Sequence, residues 1–243
     1  MSVDILCLTR YHVNTEFQGR WCMKDMDVGV TPLSSKVYRG RSADERIGER
    51  RKRLVEVGIE LYGARGFRAT SVKTVCLEAG LTERYFYESF ANGEALLCAT
   101  CTVIMDDMRQ RAVEAMEQVG DSVSERVRVA AHTYFSGLLE YPAAGRITLF
   151  EMEGVSAAVD AYYAQEMAKS TQLFVEWFLS RVKQNSHSTV KAYVLAQGML
   201  GALYQMAKEW MRSDFKLPVE VMTHHMQLVA VGICASFSEE LNL

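Results

Sequence analysis

The stretch VKTVCLEAGLTERYFYESFA, residues 72–91, decides how the whole chain is read. Val72, Val75, Cys76 and Ala79 recur at i, i+3, i+4 and i+7, which predicts a short helix over 72–79 with one apolar face. Gly80 follows, and glycine takes the left-handed backbone that ends a helix without steric cost. Thr82 stands where a second helix needs a cap, and Glu83 in its first turn meets the positive end of the helix dipole. That helix, 83–89, is expected to turn Phe86 and Phe90 inward and to leave Arg84, Tyr85, Tyr87 and Glu88 outside. Val75, Ala79, Leu81 and Phe86 clamp the pair, with the small Cys76 where they cross. A helix-turn-helix of this kind offers the outer face of its second helix to a major groove. A plain helical hairpin in a three-helix bundle satisfies the same spacing.

Upstream, Leu54, Val55, Gly58, Leu61 and Tyr62 form another stripe, on a helix that starts near Asp44 and that Gly63 and Gly66 are expected to end. Thr70 and Ser71 are cap candidates for the helix at 72. Downstream, a helix over about 94–118 carries Leu97, Cys101, Ile104 and Met108 on one side. Ser122 and Glu125 match a capping box for a helix ending near 140, which Tyr141-Pro142 breaks. Further helices are expected over 144–153, from Ser156 to about 183, and over 186–212, with Pro218 at the first position of the last. No segment alternates as a strand between hairpin turns. The expected fold is all-α: a flexible arm over 1–42, a three-helix head over 43–92 and a larger helical domain over 93–243.

The 243 residues hold 27 Lys+Arg against 30 Asp+Glu, a net charge of −3, and 49% of them are hydrophobic. That balance excludes a disordered or collagen-like chain, and the sum alone discourages binding to a polyanion. The distribution reverses the inference, with net −1 over 1–35, +3 over 36–97 and −5 over 98–243. The basic run at 36–53 is either a solvated helix face or a phosphate-contacting surface. The N-terminus has no signal-peptide pattern, and the longest uncharged run in the C-terminal half, 192–207, is too short and too polar to span a membrane. A cytoplasmic protein without membrane contact is expected.

Residues 50–97, RRKRLVEVGIELYGARGFRATSVKTVCLEAGLTERYFYESFANGEALL, resemble the DNA-binding domain of the TetR family of bacterial transcriptional regulators. Gly66-Phe67, Thr70-Ser71-Val72, Ala79-Gly80-Leu81-Thr82, Tyr87, Phe90 and Glu94-Ala95-Leu96 fall at that family's spacing. The resemblance implies a homodimeric repressor, one helix-turn-helix head per subunit, on a pseudo-palindromic double-stranded operator. The C-terminal domain would bind a small-molecule effector, dimerise, and couple effector binding to release of DNA. Carried over by position, Thr70, Ser71 and Thr82 lie at the DNA surface, the first two on phosphate. Tyr87 gives its hydroxyl to phosphate, and Arg84 and Tyr85 face the groove. Arg41, in the basic run, adds a phosphate or minor-groove contact. Three positions depart from the family's habit: Gly93 where lysine is common, Arg84 where a small residue is usual, and Tyr85 where threonine is frequent. Arg84 is expected to read a guanine through O6 and N7.

In the C-terminal domain Tyr134, Trp177, Tyr204 and Gln205 are expected to line the effector pocket, which suits an apolar or aromatic ligand. Met199, Leu203, Met206, Met222, Met226, Val229 and Ile233 are expected to form the dimer interface, with Gly198, Gly201 and Ala202 permitting close helix approach. Cys98 and Cys101 sit one helical turn apart, as a redox pair or as two small packing residues. His224 and His225 diverge by about 100° on a helix, so they do not form an i, i+4 metal pair. No metal site, cofactor fingerprint or catalytic triad pattern is found, and an enzyme is not expected. The competing readings are a redox-sensing regulator through Cys98 and Cys101, an activator, and a helical ligand-binding protein that has lost DNA binding.

Overall fold

The computed structural model describes residues 43–179 and 186–240, and every regular element among them is helical. Arg41 and the arm expected over 1–42 lie outside the described residues. Helices α1 (Ala43–Arg65), α2 (Val72–Ala79) and α3 (Glu83–Ser89) close around one small core. The α1 stripe buries Leu54, Val55, Leu61 and Tyr62, α2 adds Val75 and Cys76, and α3 adds Phe86, with Phe90 just past its end. The Ser71 side chain caps α2 by accepting the Thr74 amide at 3.1 Å. Gly80 ends α2 at φ +68°, in the left-handed region where a side chain is strained. Thr82 opens α3 with its carbonyl, which accepts the amides of Tyr85 and Phe86, but its hydroxyl makes no cap bond.

The two glycines expected to end α1 have different jobs. Gly66 does turn the chain, with φ +85° and its amide donating to the Tyr62 carbonyl. Gly63 stays inside α1, because a Cβ there would collide with Ala143 of α6 (Pro142–Arg146). Its small size serves an interhelical contact 80 residues away in sequence, which no local pattern reveals.

The longer helices are α4 (Gly93–Glu117), α5 (Val123–Glu140), α7 (Ala157–Leu179), α8 (Ser186–Arg212) and α9 (Val219–Glu240). Asn92 caps α4 by accepting the Ala95 amide at 2.9 Å, a cap the spacing had not revealed. Ser122 caps α5, but the Glu125 carboxylate pairs with Arg128 at 2.9 Å and leaves the capping box half formed. In place of a straight helix over 144–153, α6 runs into a π-helical turn, Ile147–Glu151. Pro218 precedes α9 by one residue, and its carbonyl accepts the Val221 and Met222 amides. Phe135 and Leu138 of α5, Met199 and Trp210 of α8, and Met222 and Met226 of α9 are buried in the larger core. α1 rests on α4 at Gly58, where a Cβ would come within 2.9 Å of Thr100 Cγ2. α4 thereby joins the head to the body.

Candidate functional site

Phe86 is fully buried, and this one anchor decides which residues of α3 face outward. Arg84 projects with its side chain 86% exposed, its Nε 3.4 Å from Glu88 Oε1. Tyr85 and Tyr87 are 38% and 56% exposed, and the Tyr87 ring leans edge-on against Phe86. The outward set is the one the sequence predicts. What holds α3 in place is less expected. Arg50 of α1 reaches Glu88 Oε2 at 3.1 Å and lays its guanidinium 4.4 Å over the Tyr85 ring. Arg51 donates to the Ser89 carbonyl at 2.8 Å and covers the Phe90 ring at 4.2 Å. Neither is a freely solvated cation. Both bind α1 to α3 and set the pitch of the outward face.

At the start of α2 the structure shows how Thr70 is held. The Thr70 hydroxyl donates to the Gly66 carbonyl at 2.8 Å, and its amide donates to the Phe67 carbonyl at 3.0 Å. Both of its hydrogens are bonded inside the head, so a phosphate contact through the hydroxyl would have to replace the Gly66 bond. The Ser71 oxygen is likewise engaged by the Thr74 amide and hydroxyl. The first-turn amides of α2 have no helical acceptor and form the anion-attracting end. Thr82 is exposed at the start of α3. At Gly93 a Cβ would meet Phe67 Cε2 at 3.6 Å and Val72 Cγ2 at 3.7 Å, which are ordinary contacts. A side chain fits there.

In the body, α4, α5, α7, α8 and α9 line a partly open cavity of about 100 Å³. Its wall is mostly apolar, with methionine the commonest residue, including Met105, Met108, Met116 and Phe174, and with Tyr134, Tyr204, Ser170 and Arg109 as its polar members. Tyr134 and Tyr204 meet edge to face, 5.9 Å between centroids. Two of the four expected pocket residues are therefore on the wall. Gln205 is not: it is exposed and donates to Glu209 at 3.2 Å, because one step along a helix turns a side chain by about 100°. The side chain of Trp177 lies outside the described residues.

Several residues expected at a dimer interface lie inside the subunit. Met199, Met222 and Met226 are buried within the subunit, and Met199, Leu203 and Met226 line the cavity. Met206 and Ile233 pack partly against the same core, and of that set only Val229, at 38%, is classed as exposed. The open apolar surface is an adjacent face: Val190, Tyr193 and Val194 on α8 and Leu228 and Val231 on α9, beside the exposed Gly198 and Gly201. These helices are apolar on more than one side, so spacing alone does not say which stripe turns inward.

Beside the cavity lies a buried ionic group without any sequence signal. Glu166 of α7, its side chain 2% exposed, accepts from Arg109 at 2.9 Å and from Lys169 at 2.6 Å. Arg109 also bonds Asp106, and its Nη1 donates to Ser170 Oγ at 3.2 Å. Burial alone would raise the Glu166 pKa, but the bonds from Lys169 and Arg109 outweigh it and hold the carboxyl below its ordinary value. Nearby, burial and Glu166 push the Cys101 thiol up to about 12, and burial and Glu94 raise Cys98. Both cysteines are free thiols, and neither is activated, since reactivity requires a lowered pKa. No described helix is long and apolar enough to cross a membrane.

Residues 54–100 match the family model for bacterial regulatory proteins, tetR family. The chain is 23% identical over 190 residues to the HTH-type transcriptional regulator YdgC of Bacillus subtilis, covering 76% of this chain and 93% of that protein. It is 21% identical over 167 residues to the HTH-type transcriptional activator FasR of Mycolicibacterium smegmatis, covering 68% of this chain and 74% of FasR. The FadR regulator of B. subtilis, solved with stearoyl-CoA, shares the fold with a TM-score of 0.64 at 14% identity, over 74% of this chain and 97% of that one.

Proposed function

We propose that this chain, a member of the tetR family of bacterial regulatory proteins, is a homodimeric repressor that an elongated apolar effector releases from its operator. The observation that carries this reading is the connection through α4. Its first turn lies against the head, at Phe67 and Val72, and its C-terminal half, from Met105 to Met116, forms a wall of the cavity. A ligand that widens the cavity moves the helix that supports the head. It releases DNA only by binding the released state more tightly, because equal affinity for both states shifts nothing.

The head over 43–92 is proposed to read DNA with Arg84 and Tyr85 in the groove and with Tyr87, Thr82 and the start of α2 at phosphates. Arg41 remains a candidate for an additional backbone contact. The open α8–α9 face is proposed as the contact with a second copy, which would set two heads on successive half-sites of a palindrome. The effector class is inferred from the methionine-rich wall, since flexible thioether side chains adapt to an extended chain. FadR, which shares the fold, holds an acyl-CoA, and an acyl chain is the proposed occupant here. The place of action would be the cytoplasm.

The test is genome-wide mapping of bound sites, followed by fluorescence-anisotropy titration of a bound operator with acyl compounds. A palindromic site released by such a compound supports the reading. Absence of any specific site overturns it. FasR, a relative, is an activator, which favours a second reading of the same protein. Transcription from the bound promoter separates them: it rises on deleting the gene for a repressor and falls for an activator.

A further inference from the structure

Among the described residues, one polar atom of the cavity-lining side chains has no hydrogen-bond partner. It is the Tyr134 hydroxyl, which is buried on a ring that lines the cavity edge to face with Tyr204. Buried hydroxyls are nearly always bonded, so an orphan one in a cavity wall marks a position where an incoming group belongs. Burial raises the pKa of this phenol well above its usual value, so it stays protonated and acts as a donor. Its missing partner is therefore an acceptor.

The charge of that partner follows from the neighbouring ionic group. Arg109 is the cation on the wall, and its guanidinium is held by Glu166, by Asp106 and by Ser170 Oγ. Lys169 is held by Glu166. Two carboxylates face two cations, and no positive charge is left over for a ligand. An ionised carboxylate entering this apolar space would lose its hydration without gaining a counter-ion, whereas an ester, thioester or amide oxygen loses far less. We infer that the effector joins an apolar chain to an uncharged carbonyl-type acceptor, which Tyr134 binds through its hydroxyl. The inference rests on the effector reading above and narrows it. The wall runs along α4 from Met105 to Met116, about 16 Å at 1.5 Å per residue, which sets the scale of the chain.

The experiment measures dissociation constants of the full-length protein for methyl laurate, laurate and dodecane by intrinsic tryptophan fluorescence, in the wild type and in Tyr134→Phe. The wild type is expected to bind methyl laurate at least tenfold more tightly than either laurate or dodecane. Tyr134→Phe is expected to bring methyl laurate to the level of dodecane while changing dodecane less than twofold. The variant removes one unbonded oxygen, so its melting temperature should not fall, which shows that the change in binding is local. Laurate binding as tightly as its ester, or an ester preference that survives Tyr134→Phe, overturns this inference and leaves the apolar-chain reading standing. If none of the three binds, both fall.

Discussion

In the head, Tyr85 and Tyr87 stand on α3 with their rings partly in solvent; in the body, Tyr134 and Tyr204 close on each other inside the helical bundle. The residue type is the same, and its surroundings assign opposite work. Burial pushes the Tyr204 hydroxyl up to about 12 against the opposing pull of Ser170 and Arg109, while Tyr87 presents its polar tip to whatever approaches α3. The basic residues divide in the same way. Arg84 reaches outward from the head, and Arg109 is almost enclosed among carboxylates in the body. The head is a surface supported by a small core, and the body is a core that contains an empty space.

The contrast can be broken at its supports. Phe86→Ala removes the anchor of α3, and a fully buried phenylalanine costs about 3–5 kcal/mol when truncated. Urea unfolding should show that loss, and operator binding should disappear with it. Arg109→Met strips the buried Glu166 of one of its two cations and leaves only Lys169, so the loss should reach at most about 3–5 kcal/mol, and adding Glu166→Leu should restore part of it. A double-mutant cycle in urea checks this, and additive losses would mean that the pair is not coupled. The same pair carries a pH signature. Because the folded Glu166 pKa is depressed, its contribution is complete above the unfolded glutamate value, about 4.3, and is lost as pH falls through the lower folded value. Melting temperature should therefore decline less steeply in acid for Glu166→Gln than for the wild type.

Smaller effects sharpen the contrast on the head side. Arg84→Ala should cost about 1–3 kcal/mol at one base position in each half-site, measured by operator variants in a binding assay. An equal loss on every sequence, with a shallower salt dependence, would make Arg84 a phosphate contact. Gly93→Lys should fit, because a Cβ there meets only ordinary contacts, and it should steepen the salt dependence of DNA binding by about one charge per subunit. An unchanged salt slope would mean that the first turn of α4 lies away from the backbone.

The head was legible because its signals are local. Ser71, Gly80 and the Phe86–Phe90 spacing each act within one or two turns, and the structure places all three as their chemistry demands. At Thr70 the sequence did not reveal that the hydroxyl bonds a carbonyl four residues back. In the body, Tyr134 and Tyr204 were placed on the cavity, but Gln205 was one helical step off, and Met199, Met222 and Met226 turned inward instead of toward a second copy.

The sequence by itself determined that the chain is helical, where most helices begin and end, and which side chains of α3 face out, since caps and periodicity are properties of neighbouring residues. Tertiary structure alone decided that Gly63 makes room for Ala143, that Arg50 and Arg51 fix the pitch of α3, and that Glu166 meets Arg109 across 57 residues. It also decided that the Tyr134 hydroxyl has no partner among the described residues. The physical reason is that such contacts depend on how whole helices cross, and the crossing is settled by the summed packing of the core, not by any short run of residues.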